Sequence, residues 1–234
     1  MQEEFTKAAF NETDWEYLHE RAFRYRVSRK HYDFNKSDLK VVGEEREEYK
    51  IVSDFLPSDN NFPSEILSLK QFYRLWMMLP EYCQVRVPEL LYSTAHDGYL
   101  LSTLYRNWKP YQEKMSVKFM FLIIQTTKGD IFGAFLDTVI TKSISSYIGS
   151  EESFVFWFHE DQRAWYYSEK ANNQYWVGGM DYLQIGGGGD GPAIYLNDSL
   201  QEGQTNKCET FANEILTSTG EQFFEVACIE AIMI

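Results

Sequence analysis

The sequence predicts a mainly β protein of the α+β class: a two-sheet antiparallel β-sandwich flanked by helices. Three observations carry that prediction. Short apolar runs separated by turn residues recur along the C-terminal two thirds of the chain and outnumber the stretches with helical periodicity. Aromatic residues make up 17% of the sequence, a share that suits pleated surfaces packed face to face. The four consecutive glycines Gly186 to Gly189, followed by Asp190-Gly191-Pro192, lie between apolar Tyr182, Leu183 and Ile185 on one side and Ala193 to Leu196 on the other. Glycine loses the most freedom on ordering, so such a run marks a strand, a tight crossing and a second strand.

Taken in order, residues 1–62 form an N-terminal extension and residues 63–234 the domain proper. In the extension, Thr13 and Glu16 have capping-box spacing, and Trp15, Leu18, Ala22 and Tyr25 share one face, which predicts a helix over about 14–29. Arg21, Arg24, Arg26, Arg29 and Lys30 make its far side the one dense basic cluster of an acidic chain. Two readings stay open for them: cations favoured near a helix C-terminus, or a contact with an acidic partner or a phosphoinositide headgroup. Residues 33–61 are charged and broken by turn residues, as a linker with one short helix would be.

The domain opens at Pro63. Ser68 and Gln71 form a second capping box, after which Leu69, Phe72, Leu75, Trp76 and Leu79 give an apolar helical face ending before Pro80. A short strand follows at 90–94, a turn at Asp97-Gly98 and a helix over 100–108. The continuous apolar run 117–127 reads as a strand buried on both faces, and Lys128-Gly129-Asp130 turns it into a hairpin with 131–136. Further strands are expected at 153–159, 164–167, 174–177, 182–185, 193–196 and 224–232.

Composition excludes several function classes. A net charge of -13 repels nucleic-acid phosphates and disfavours broad contact with anionic membranes. Three cysteines and no secretory hydrophobic region after Met1 point to a reducing, cytoplasmic setting, and no apolar run approaches a membrane span. The four histidines are scattered without ligand spacing, so no metal and no cofactor are expected. The glycine run lacks the following Gly-Lys-Ser/Thr and helix that a phosphate cradle requires. Cys208 beside Glu209 reads as a structural thiol, since a neighbouring negative charge makes a thiol a poorer nucleophile. Ser93, His96 and Asp97 are too close in sequence for triad geometry, while Glu152 and Asp181 are expected as buried carboxylates accepting backbone N–H groups.

Six ordered motifs over roughly residues 64–234 carry a resemblance. They are Pro88 with Leu90 to Thr94; His96-Asp97-Gly98; Leu104-Tyr105-Arg106; Phe132-Gly133-Ala134-Phe135; Glu152 to Phe156; and Ile185-Gly186-Gly187-Gly188-Gly189 leading to Cys208-Glu209-Thr210-Phe211. In this order they resemble the TLDc domain, and the entry at 63–68 is most similar to that of skywalker-type TBC-TLDc proteins, activators of Rab GTPases. The resemblance implies the same sandwich fold, with Asp97, Gly98, Gly133, Glu152, Gly186 to Gly189, Cys208 and Glu209 in structural or interaction roles. It also implies a non-catalytic module of oxidative-stress protection, cytoplasmic or peripheral on synaptic vesicles, with vacuolar proton-pump subunits or Rab-pathway proteins as partners. The fingers that TBC catalysis requires are absent from the sequence. The alternative is a hydrolase or thiol-redox enzyme using Ser93 or Cys208.

Overall fold

The computed structural model describes residues 32–34, 63–76, 78–84, 86–111, 119–143, 146–159, 162–166 and 172–234. The helix expected over 14–29, its basic cluster and most of the expected linker lie outside these residues. Across the start of the expected linker the structure places strand β1 (Tyr32–Phe34), which pairs with β6 (Gln162–Tyr166).

Two antiparallel sheets share one long strand, β11 (Phe223–Met233). The first sheet runs β1, β6, β5 (Phe154–Phe158), β4 (Ile131–Leu136), β3 (Met120–Thr126) and the second half of β11, with β2 (Glu89–Ser93) paired beyond it. The second runs from the first half of β11 through β10 (Glu202–Gln204), β9 (Ile194–Asn197) and β8 (Tyr182–Ile185) to β7 (Trp176–Gly178). A register shift between Val226 and Cys228 lets β11 leave one sheet and enter the other. An extra residue in one strand reverses which side chains face inward, so Phe224 and Val226 before the bulge and Ile229, Ala231 and Met233 after it all reach one core. The Tyr99 hydroxyl donates to the carbonyl of Ala227 at 2.6 Å, supplying the partner that the bulge takes away.

The alternation of β3 explains the layers. Met120, Leu122 and Ile124 face the second sheet, together with Trp176, Leu183, Ile185, Ile194 and Leu196. Phe121 and Ile123 face the opposite way, onto helix α1 (Leu69–Trp76), in a core with Phe72, Phe135, Phe154 and Phe156. Both faces of this strand are buried, which is why it reads as an unbroken apolar run. The Phe72 and Phe121 rings meet at 6.0 Å and Phe121 and Phe156 at 6.2 Å, both edge to face, the preferred geometry for aromatic pairs. Helix α1 begins at the expected capping box: the Ser68 backbone N–H donates to Gln71 Oε1 at 2.9 Å and the Gln71 N–H returns to Ser68 Oγ at 3.3 Å. Among the described residues the other α-helices are α2 (Glu81–Gln84), α3 (Thr94–Asp97) and α4 (Leu101–Trp108).

Candidate functional site

The glycine run does make a tight crossing, and its neighbours explain each glycine differently. Gly186, Gly188 and Gly189 have φ of +78°, +75° and +65°, the left-handed region where a Cβ is costly. Gly187 has ordinary φ; its constraint is space, since a Cβ there would run into the Gln174 side chain. The Gly187 carbonyl is a hub: Asn172 Nδ2 donates to it at 3.1 Å, the Thr210 N–H at 3.2 Å and the Cys208 thiol at 3.3 Å. Thr210 Oγ1 accepts from the Gly187 N–H at 3.0 Å and has one proton of its own, for which Asn172 Oδ1 at 2.8 Å is the nearest acceptor. Cys208, Thr210 and Phe211 are buried beneath the crossing, while Glu209 faces solvent. Cys208 Sγ sits against the position a Gly186 Cβ would take, so thiol and glycine occupy one packed spot.

A second cluster surrounds helix α3. Ser93 caps it: Ser93 Oγ accepts from the Ala95 N–H at 3.3 Å, and Asp97 Oδ2 accepts from the Ser93 N–H at 2.9 Å. Gly98 closes it at φ +80°, its N–H returning to the Thr94 carbonyl. His96 points away to exposed Glu65, Nε2 to Oε1 3.2 Å. Asp97 thus meets Ser93 only at its backbone N–H while His96 turns to Glu65, and the three are not aligned for proton relay. Ser93 Oγ lies 3.9 Å from Cys228 Sγ, and Thr94 Oγ1 donates to that sulfur at 3.5 Å. Tyr92 donates its hydroxyl to the Gly98 carbonyl, and burial pushes its pKa up to about 12.

Sequence reasoning missed Glu230. It is fully buried in β11, where Ser64 Oγ donates to Oε2 and the Glu65 N–H to Oε1 at 2.7 Å, with the Ile66 N–H assisting. Burial raises its pKa from the ordinary value of 4.5, and those three donors oppose the rise. The carboxylate therefore ties the strap Pro63 to Leu67 onto the first sheet. A lone acid within the apolar 226–234 stretch was the available signal.

The remaining candidates are scattered. Gly133 lies mid-strand in β4 between Ile123 and Phe156, and a Cβ there would collide with the Leu122 carbonyl and the Phe156 ring. Asp181 is exposed in the turn before β8, against the expectation that it is buried. Glu152 is half-buried, but its carboxylate accepts none of the turn's N–H groups among the described residues. Ser150 holds that turn instead, accepting the Glu152 N–H on Oγ at 3.3 Å and the Ser153 N–H on its carbonyl at 3.1 Å. Ser153 in turn donates to Asp137 Oδ1 at 3.0 Å. A short hydroxyl close to the backbone makes these bonds with less lost side-chain freedom than a glutamate. Among the described residues no three His, Cys, Asp or Glu are placed to hold a metal ion, and no helix is long and apolar enough to cross a membrane. No disulfide joins the three cysteines; Cys83 and Cys208 are buried and Cys228 is partly exposed.

Comparison with known proteins gives one consistent answer. A family model described as TLDc domain matches residues 60–234. Oxidation resistance protein 1 of Homo sapiens is 32% identical over 163 residues, covering 69% of this chain and 18% of that protein. TBC1 domain family member 24 of Xenopus laevis is 26% identical over 222 residues, covering 73% of this chain and 38% of its own. GTPase-activating protein skywalker of Drosophila melanogaster is 26% identical over 199 residues, covering 75% and 31%. The chain spans less than a fifth of the oxidation resistance protein and under two fifths of the other two.

Proposed function

This chain belongs to the TLDc domain family, and from that premise we propose that it is a non-catalytic interaction module giving protection against oxidative stress. In this reading it forms part of a TBC-TLDc activator of Rab GTPases in membrane and synaptic-vesicle traffic, and it engages vacuolar proton-pump subunits or Rab-pathway proteins. The similarity to a GTPase-activating protein, skywalker, supports the parent; the similarity to oxidation resistance protein 1 supports the stress role. One observation carries the non-catalytic part. The residues that an enzyme would use are committed to the scaffold or kept apart: Ser93 to a helix cap, Cys208 to the Gly187 carbonyl and Glu230 to the strap, while His96 turns out to exposed Glu65. The basic cluster Arg21, Arg24, Arg26, Arg29 and Lys30 adds a peripheral contact with phosphoinositide headgroups on vesicle membranes.

The test is affinity capture from cell lysate with the whole chain, read out for proton-pump subunits and Rab-pathway proteins. Either class is expected to be retained, and retained equally by Ser93→Ala. In parallel, phosphoinositide-containing liposomes are expected to bind the chain at low salt and to lose it when the four arginines are replaced by Gln. Recovery of neither protein class overturns the partner assignment, and liposomes that fail to bind even at low salt overturn the membrane contact.

A further inference from the structure

We propose that the outer face of the β10–β11 pair is a docking cleft for an arginine-bearing segment of a partner protein. In the register of this pair Glu202 lies directly opposite Glu225, and Gln204 opposite Phe223. Phe224 and Val226 turn inward to the core, so the alternation of the strand sends Phe223 and Glu225 outward. They line a cleft of about 440 Å³, together with Glu202, Thr127, Lys128 and Glu221. Phe223 is 68% exposed, an aromatic ring left in solvent beside a pair of carboxylates.

Two like charges set directly opposite on neighbouring strands repel and weaken the pairing. Among the described residues no salt bridge reaches either carboxylate: Lys128 is bound to Glu221 and only lends Glu225 part of its field, and the Thr127 hydroxyl lies 3.5 Å from Glu225 Oε2. The geometry fits a cation supplied from outside. Side chains directly opposite on an antiparallel pair have Cβ atoms about 4.5–5.5 Å apart, so one planar guanidinium reaches both carboxylates while its face lies on the Phe223 ring. A lysine ammonium, a point charge without a flat face, satisfies less of this arrangement. A metal ion would lack a third ligand. A second copy of a chain carrying a net charge of -13 is repelled from the cleft, as is an anionic lipid surface. The assignment deepens the interaction-module reading and rests on it in taking a protein as the ligand.

The test is titration of a fluorescent hexaarginine peptide into the whole chain at low and at physiological salt. Glu202→Gln combined with Glu225→Gln is expected to weaken binding at least tenfold while melting above the unmodified chain, because the repulsion is gone. Phe223→Ala weakens it several-fold. Glu151→Gln with Glu152→Gln, an equal loss of charge elsewhere, leaves it unchanged. Equal affinity of the cleft double variant and the unmodified chain overturns the proposal, as does hexalysine binding as tightly as hexaarginine. A rise in peptide affinity on replacing Arg21, Arg24, Arg26 and Arg29 with Gln places the chain's own basic segment in the cleft and overturns the assignment to a partner. Peptide binding is measured without lysate or cells, so its failure leaves the module reading standing, and failure of lysate capture leaves the cleft intact.

Discussion

Glu230→Ala is expected to cost about 2–4 kcal/mol and to lower the melting temperature by about 5–15 °C. The loss follows from what the carboxylate holds. Without it the Ser64 hydroxyl and the Glu65 and Ile66 N–H groups lose their acceptor beside a buried strand, and the strap leading into helix α1 is released. The buried charge carries its own desolvation cost, which offsets part of the gain and gives the pH dependence its sign. A carboxyl whose folded pKa is raised favours folding in its protonated form. That contribution is fully present below 4.5, the ordinary value, and is lost as pH rises through the folded value. The stability of the unmodified chain relative to Glu230→Gln is therefore expected to fall as pH rises from 4.5 toward neutrality. Thermal melts of both proteins across that range check it, and a difference that grows with pH is the contrary result.

Gly133→Ala is expected to cost about 3 kcal/mol or more and to leave most of the protein insoluble. Strand β4 is held on both sides, by β3 and β5, and the added methyl group would meet the Leu122 carbonyl, which is backbone and cannot turn aside. It would also meet the Phe156 ring at 2.9 Å, where that ring covers the glycine and joins Phe121 and Phe154 in the helix-side core. Expression and melting of the purified soluble fraction measure the effect. A variant that is fully soluble and melts with the unmodified chain contradicts this account of the packing.

The glycine crossing was legible in the sequence because four residues without side chains between apolar runs announce a close approach, whereas Gly133 stood out only as part of the family resemblance. The long strands were legible for a related reason: with both faces buried, β3 shows no polar interruption. Strand β10 was not. Glu202-Gly203-Gln204 carries no apolar residue, because the Phe224 ring and the Tyr195 carbonyl fill the space beside Gly203 and the flanking side chains face solvent. Strand β1 was hidden in a charged stretch, since backbone pairing with β6 is long-range and leaves no local signature. Glu230 shows the limit at the site itself. Its role depends on Ser64, 166 residues away in sequence, and no local pattern distinguishes an acid tied to a distant strap from one exposed on a strand. Glu152 shows the converse, a motif residue whose expected bonds are made by the serines beside it.

The stability effects also separate scaffold from chemistry in cells. A loss of a few kcal/mol in a marginally stable domain lowers abundance several-fold, so Glu230→Ala should reduce stress protection only in proportion to soluble protein. Removing a nucleophile should do nothing of the kind. The most direct measurement is therefore survival under peroxide in cells lacking the endogenous protein, normalised to folded protein, for Ser93→Ala, Cys208→Ser and Cys228→Ser. If the module acts by binding, each variant protects as well per folded molecule as the unmodified chain. If any of them is folded at full abundance and yet loses all protection, the chain is an enzyme and the binding account is wrong.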